Sequence, residues 1–152
     1  MKDVVEQLKD VFDFEKNLYF CHETSYGRAE KACEEGFLLS GNNILDVENL
    51  LFTTTTPLSK ELADDEEKFT TFLEGELNLN PIRPITEMVI LGIPKDKISD
   101  AVEPYYGDSS IDTENGTNYI VSPDYVLGYI NLKDQELILN ESYNYDNDFY
   151  SY

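Results

Sequence analysis

The chain has 152 residues, enough for one domain with a hydrophobic core and too few for two of ordinary size. Its 31 Asp and Glu residues outnumber 11 Lys and Arg residues, and the formal charge of −20 disfavours direct binding to nucleic acid. No apolar run approaches the roughly 18 residues that cross a bilayer, and the N-terminus lacks the apolar centre of a signal peptide. We therefore expect a cytoplasmic protein that binds neither nucleic acid nor membrane. The acidic surface favours a basic protein partner, with mimicry of nucleic acid as an alternative.

The first elements in the chain are a helix, a strand and a second helix. Residues 1–17 predict an amphipathic helix packed on the domain, from apolar residues at helical spacing: Val4, Val5, Leu8, Val11 and Phe12. Residues 18–21 (LYFC) predict a short buried strand. A helix over residues 25–35 follows, and Gly36 is well placed to end it.

Residues 50–55 (LLFTTT) predict a strand, because they are β-branched, aromatic or apolar. Thr56-Pro57 is typical of a helix start, and Gly75 is a plausible end for that helix. Five acids crowd residues 61–67 of this segment. A solvated helix face is the simplest explanation for them.

The second half of the chain is rich in strands, predicted at residues 87–93, 119–121, 125–132 and 136–139. Together the elements predict one compact α+β domain over residues 18–139, with a mixed or antiparallel sheet core and flanking helices. Residues 140–152 contain five aromatic residues and three acids. They predict a tail that is loose, bound to a partner or bound to the domain itself.

The only histidine of the chain, His22, follows the strand 18–21 and precedes Thr24 and the helix that ends in Glu-Glu-Gly-Phe. This order resembles the first conserved block of the ADP-ribosyltransferase superfamily, on the side of the poly(ADP-ribose) polymerases and rifampicin transferases. A ring nitrogen at a strand end can hydrogen-bond a ribose hydroxyl of NAD, while the following backbone and hydroxyl hold the nicotinamide amide. The resemblance implies that His22 and Thr24 position NAD as a substrate. An ordinary polar residue at a strand end is the alternative for His22.

Two further blocks follow in the family's order. Residues 50–54 (LLFTT) resemble the second-strand block, in which an aromatic residue and a hydroxyl, here Thr54, precede a helix. In the family, that helix carries a tyrosine whose ring stacks on nicotinamide. Residues 118–129 (NYIVSPDYVLGY) resemble the late strand block, in which Tyr119 is the aromatic residue. The resemblance covers roughly residues 18–135 and implies an ADP-ribosyltransferase-like fold, with Thr54 and Tyr119 among the NAD-binding residues.

Three positions depart from the family's pattern. Glu23 stands where the family usually has Gly, so it points away from nicotinamide or obstructs it. The stacking ring has no clear equivalent, so Phe69 or a tyrosine takes that place, and Phe69 is otherwise a core residue. Asn118 replaces the Glu of the chain-extending enzymes, and an amide cannot supply a negative charge to an oxocarbenium ion. Glu114 is a candidate for the missing carboxylate, with a turn residue as the alternative.

Two functions from different classes follow. The first is an NAD-dependent mono-ADP-ribosyltransferase-like enzyme that modifies a protein or other intracellular acceptor, in the manner of a toxin-like effector, with Asn118 or Glu114 near the acceptor. The second is a catalytically inactive acidic module that binds a basic protein. With one His and no clustered Cys, no metal is expected. Cys21 and Cys33 are predicted to be thiols of the core.

Overall fold

A computed structural model describes residues 1–25, 27–40, 47–77, 85–105 and 118–143 of the chain. These residues form an α+β domain with two antiparallel sheets. The helices are α1 (Lys2–Val11), α2 (Arg28–Glu35), α3 (Val47–Thr54), α4 (Lys60–Asp64), α5 (Glu66–Leu77) and α6 (Ile98–Ala101), with a 3-10 helix at Pro123–Tyr125. The strands are β1 (Asn17–Thr24), β2 (Phe37–Ser40), β3 (Thr56–Leu58), β4 (Glu87–Pro94), β5 (Val102–Tyr105), β6 (Asn118–Val121), β7 (Val126–Asn131) and β8 (Glu136–Leu139).

The larger sheet has five strands in the order β3-β1-β4-β7-β8, and each neighbouring pair is antiparallel. Its central strand, β4, is buried at every position from Met88 to Ile93. A continuous buried run of this kind is expected where both faces of a strand are covered. The larger sheet therefore separates two hydrophobic cores.

Alternation along β1 divides its side chains between these cores. Tyr19 and Cys21 belong to the first core, which α1, α4 and α5 cover. Phe20 belongs to the second core, which lies between the larger sheet, α2, α3 and the smaller sheet. Because residues two apart on a strand share a face, His22 and Thr24 lie on the side of the second core.

The smaller sheet has three antiparallel strands in the order β2-β6-β5. Phe37 on β2 is opposite Val121 on β6, and Leu39 is opposite Tyr119. Leu39 and Val121 are buried in the second core. This sheet therefore brings the late strand block to the same side of the domain as His22.

The structure corrects the prediction for residues 50–55 (LLFTTT), which lie in α3 and just after it rather than in a strand. Leu50 and Leu51 are buried in the second core. The hydroxyls of Thr54 and Thr55 donate hydrogen bonds to the carbonyls of Leu50 and Leu51, each at 2.6 Å. In a helix, the two leucines are buried and the two threonine hydroxyls are hydrogen-bonded. Burial therefore overrides the strand propensity of this segment.

The helix predicted to start at Thr56-Pro57 starts later, because these residues belong to β3 at the edge of the larger sheet. Proline has no N–H to donate, and a sheet edge tolerates it. α4 begins after Ser59, whose hydroxyl accepts a hydrogen bond from the N–H of Leu62 at 3.1 Å. The next helix, α5, passes Gly75 and continues to Leu77, so the glycine is not its end.

The acidic run 61–67 spans most of α4, the residue between the two helices and the start of α5, rather than one helix face. Asp65 accepts a hydrogen bond from the N–H of Lys68 at 3.1 Å and so caps α5. Glu66 is partly buried, and its Oε1 has no hydrogen-bond partner among the described residues. Of the five acids predicted to form a solvated surface, only Glu61, Asp64 and Glu67 are exposed.

Both ends of the described chain pack on the domain. α1 contributes three buried residues to the first core, namely Val4, Val5 and Leu8. The Asn140 side chain donates to the carbonyls of Pro123 and Val126 at 3.0 and 2.9 Å, and Tyr143 is buried in the first core. Residues 140–143 therefore pack on the domain itself. No helix in the described ranges is long and apolar enough to cross a bilayer.

Candidate functional site

An open cleft of about 530 Å³ lies between β1, α2 and the smaller sheet. Its volume falls in the range of about 300–1,000 Å³ that is typical of small-molecule sites. Polar side chains of β1 and α2 line one part of it, namely His22, Thr24, Arg28, Lys31 and Glu35. Small and apolar residues line the rest, namely Ala32, Gly36, Phe37, Leu38, Val89 and Ile120.

β1 is longer than the predicted strand and holds both His22 and Thr24 within the larger sheet. His22 lies opposite Val89 on β4, and Thr24 lies opposite Glu87. Glu23 falls between them, on the face of the first core, and it does not line the cleft. Of the two expectations for Glu23, obstruction or a direction away from the site, its position fits the second.

The His22 ring is half-buried and packs edge-on against Phe37, with 5.3 Å between the ring centroids. This geometry is a favourable one for two aromatic rings, and it limits rotation of the imidazole. No described residue hydrogen-bonds the imidazole. The described part of the chain therefore orients the ring and leaves its nitrogens unengaged.

A carboxylate from β4 fixes the N-terminus of α2. Gly27, at the N-cap position, has a φ of 82° and no side chain that can cap the helix. Glu87 takes this role, because its Oε1 accepts a hydrogen bond from the N–H of Ala29 at 3.3 Å. Ala29 and Ala32 are small and buried, which lets α2 pack closely on the larger sheet. These contacts set where Arg28 enters the cleft.

The cleft carries two cations, although the whole chain has a charge of −20. Arg28 is exposed and forms no ion pair with a described residue. Lys31 pairs with Glu35 at 3.9 Å, and both side chains are largely exposed, so this ion pair is weak. One side of the cleft is therefore a place where an anion can bind.

Gly36 ends α2, which confirms that prediction. Its φ is 109°, and its N–H donates a hydrogen bond to the carbonyl of Ala32 at 2.9 Å. A Cβ at this position would lie 2.7 Å from the carbonyl oxygen of Val121. The glycine therefore allows the start of β2 to approach β6, where Ile120 lines the cleft.

The structure places the late block beside the cleft. Tyr119 is partly buried and packs against the second core, and the next residue, Ile120, lines the cleft. Asn118 is the first residue of β6 and lies opposite Ser40 on β2. Glu114 lies outside the described residues.

Tyr119 itself does not line the cleft, and neither do two other predicted NAD-binding residues, Thr54 and Phe69. The Thr54 hydroxyl donates its hydrogen bond to Leu50 within α3, and Thr54 does not line the cleft. Phe69 is buried in the first core, where its ring stacks at 6.3 Å on that of Phe12. The larger sheet separates Phe69 from His22. Phe69 is therefore a residue of the hydrophobic core, which was the alternative to a role in NAD binding.

Both cysteines are free and buried, which confirms them as thiols of the core. Cys33 lies in α2, behind the cleft. Burial, followed by the nearby carboxylates of Glu30 and Glu34, raises the pKa of its thiol to about 11. A thiol with this pKa is protonated at neutral pH and is a poor nucleophile.

Sequence reasoning missed Arg28 and Lys31, which line the cleft, and Glu87, which caps the helix that carries them. A signal for Arg28 and Lys31 was present, because they are the only Lys or Arg residues between positions 17 and 59. Glu87 had no such signal, because its hydrogen bond to α2 joins residues 58 positions apart in the chain. That contact depends on the pairing of β1 with β4.

Within the described ranges, no group of three or more His, Cys, Asp or Glu side chains is placed to hold a metal ion. Comparison of the chain with protein-family models, with curated proteins and with solved structures gave no match.

Proposed function

We propose that the chain is an NAD-dependent mono-ADP-ribosyltransferase-like protein, and that NAD binds in the cleft between β1, α2 and the smaller sheet. One observation supports this more than any other. His22 and Thr24 of the first block and Ile120 of the late block line the same cleft, although the two blocks are far apart in the chain. The resemblance to the ADP-ribosyltransferases requires these two blocks to meet.

In this proposal His22 hydrogen-bonds a ribose hydroxyl of NAD, and Thr24 holds the amide of nicotinamide. The edge-on contact with Phe37 suits the role of His22, because it orients the ring without using a ring nitrogen. The apolar residues Leu38 and Val89 offer surface to the flat rings of the ligand.

The reaction breaks the bond between the nicotinamide nitrogen and C1′ of the ribose. Nicotinamide leaves, a nucleophile of the acceptor bonds to C1′, and the acceptor's proton passes to solvent. The protein's tasks are to orient the two reactants and to stabilise positive charge at C1′. With Asn118 in place of a carboxylate, we expect transfer of a single ADP-ribose unit to a protein or other intracellular acceptor.

A catalytically inactive binding module is the second candidate, and two observations favour it. Asn118 brings no negative charge to β6, and Thr54 and Phe69 are engaged elsewhere in the fold. In this case the −20 surface binds a basic protein, and any NAD in the cleft stays intact.

The test measures NAD binding by calorimetry and nicotinamide release from NAD, with and without a cell lysate as a source of acceptors. The matched variants are His22→Ala and Glu23→Ala, because the two residues are adjacent but lie on opposite faces of β1. We expect nicotinamide release by the wild type, weaker NAD binding by His22→Ala, and no change in Glu23→Ala. Binding without release supports the inactive module, and the absence of NAD binding contradicts the proposal.

A further inference from the structure

We propose that the α2 side of the cleft is a phosphate-binding subsite, in which Arg28 and Lys31 bind the phosphate groups of a nucleotide. The proposal deepens the proposed function and rests on it for one point only, the identity of the nucleotide as NAD. The subsite itself can be tested with nucleotides that have no nicotinamide to release.

The position of the two cations is the first support. Arg28 and Lys31 lie three residues apart on α2, a spacing that puts them on the same side of a helix, and both line the cleft. The guanidinium of Arg28 offers several N–H donors in a planar fork that matches a phosphate group. The hydrogen bond that Glu87 accepts from the N–H of Ala29, in the same turn, holds this end of α2 in place.

The second support is that these charges are poorly neutralised. The Lys60–Asp64 ion pair is close, at 2.8 Å, whereas Lys31 approaches Glu35 only to 3.9 Å and Arg28 has no carboxylate partner among the described residues. In a chain with 31 acids and 11 bases, carboxylates that could neutralise a cation are abundant. Two weakly paired cations on one wall of a cleft therefore favour an anionic ligand there.

The surroundings limit the size of that ligand. Glu30, Glu34 and Glu35 lie on the same helix, so a long polyanion would meet negative charge on either side of the cations. Ionic screening acts over about 8 Å at physiological salt, so a short ligand with one or two phosphate groups meets fewer of these carboxylates than a long polyanion does. A small phosphate ester fits these charges, and nucleic acid does not.

The opposite wall indicates what else the ligand carries. Leu38 lines the cleft and is 55% exposed, a large exposed fraction for an aliphatic side chain, and Phe37 and Ile120 also line it. Apolar surface facing a pair of cations suits a molecule with a flat ring at one end and phosphate at the other. A nucleotide has both features, whereas inorganic phosphate has only one.

The experiment measures the binding of ADP, AMP, adenosine and pyrophosphate by calorimetry, at low and at physiological ionic strength. The test variant is Arg28→Gln/Lys31→Gln. The matched control is Lys9→Gln/Lys68→Gln, which removes two exposed cations from α1 and α5, across the larger sheet from the cleft. A third variant, Glu35→Gln, removes the carboxylate that competes for Lys31.

We expect ADP to bind more tightly than AMP, and AMP more tightly than adenosine, with the differences shrinking as salt rises. The test variant should lose about tenfold in ADP affinity, which corresponds to about 1.4 kcal/mol, and little in adenosine affinity. Glu35→Gln should bind ADP about two- to threefold more tightly, the scale of an exposed ion pair. The control should bind ADP as the wild type does.

Three outcomes overturn the subsite: ADP that binds no better than adenosine, ADP affinity unchanged in the test variant, or no ADP binding by the wild type. The first two leave the proposed function standing if NAD is bound and cleaved. If ADP binding depends on Arg28 and Lys31 but NAD is neither bound nor cleaved, the subsite stands and the proposed function fails. Both cations are exposed, so their replacement should leave the fold intact. Equal melting temperatures for the test and control variants check this.

Discussion

The ring of His22 on β1 meets the ring of Phe37 on β2 edge-on, at 5.3 Å between centroids, and this contact joins the two sheets at the cleft. β1 belongs to the larger sheet and β2 to the smaller one. The contact therefore serves the fold as well as the cleft, and a useful variant of His22 has to separate these two roles.

We expect His22→Phe to keep the edge-on contact and lose the hydrogen bond to the ribose. NAD affinity should fall by about 1–2 kcal/mol, the scale of one hydrogen bond whose partner is left unsatisfied. The melting temperature should stay close to that of the wild type. Calorimetry with NAD and a thermal melt measure the two effects.

Phe37→Leu is the reciprocal control, because it removes the ring contact and keeps the imidazole. It should lower stability by about 1 kcal/mol, the scale of an aromatic pair, with a smaller effect on NAD than His22→Phe has. If both variants lose stability and neither loses NAD affinity, His22 is only a packing residue.

Asn118 is the position at which we expect catalysis to be limited. It begins β6, two residues before Ile120, which lines the cleft. A carboxylate there would stabilise positive charge at C1′, so Asn118→Glu should raise the rate of nicotinamide release by about tenfold or more.

Asn118→Gln controls for side-chain length, because it has the size of Glu without its charge. It should release nicotinamide no faster than the wild type. Equal rates for the Glu and Gln variants would mean that position 118 does not face the reacting atoms.

The sequence predicts those parts of the fold that depend on local pattern. The stripe of α1 and the buried run of β4 are periodic or continuous over many residues, and both elements are present. Strands β2 and β5 were not predicted; each has only four residues, and β5 contains Pro104, which weakens the strand signal. The β-branched and aromatic side chains of residues 50–55 predict a strand, but the burial of Leu50 and Leu51 in the second core, which is a property of the whole fold, favours a helix there.

The candidate site likewise has a part that the sequence predicts and a part that it does not. His22 and Thr24 form a motif that the sequence displays, and both line the cleft. Phe69 was assigned to the site by its place in the chain order, but the apolar face of α5 carries it into the first core. The Glu87 cap on Ala29 arises only when β4 pairs with β1, so no local pattern predicts it.

The Glu87 cap gives a prediction about stability. Glu87→Ala should lower the free energy of unfolding by about 1 kcal/mol, because the Ala29 N–H loses its partner at the N-terminus of α2. Glu87→Gln keeps an acceptor oxygen and should lose less. Urea unfolding measures both, and equal losses would show that the negative charge, rather than the hydrogen bond, is what stabilises α2.

Cys33 gives a prediction about pH. Burial first, then Glu30 and Glu34, raises its pKa from the ordinary value of 9.0 to about 11, so the folded state retains the proton after the unfolded chain has lost it. The contribution of Cys33 to stability is complete below pH 9 and is lost as the pH rises toward 11. The free energy of unfolding should fall by about 2 kcal/mol in this window.

Cys33→Ala isolates this effect from the tyrosines, because burial also raises the pKa of Tyr19, Tyr125 and Tyr129. Urea unfolding at several pH values should give a shallower decline for the variant than for the wild type. Parallel declines would mean that the Cys33 thiol titrates normally in the folded protein.

The last prediction concerns the exposed part of the acidic run, Glu61, Asp64 and Glu67. Neutralising all three, as Glu61→Gln/Asp64→Asn/Glu67→Gln, should weaken binding to a basic partner, for which a fluorescent oligolysine peptide is the probe. Wild-type binding should fall as salt rises, because exposed charges are screened over about 8 Å at physiological ionic strength. NAD affinity should not change, because α4 and α5 lie across the larger sheet from the cleft. Fluorescence anisotropy measures the first two effects and calorimetry the third.

The matched control removes three exposed acids that are dispersed over the surface, as Asp124→Asn/Asp134→Asn/Glu141→Gln. It changes the net charge by the same amount, so a local cluster effect appears only in the first variant. The first variant, which contains Asp64→Asn, breaks the Lys60–Asp64 ion pair. This pair is exposed and worth less than about 1 kcal/mol, so the fold should be retained. Equal weakening in both variants would mean that only net charge matters and that residues 61–67 form no distinct surface. Loss of NAD affinity in the first variant alone would contradict the separation of α4 and α5 from the cleft.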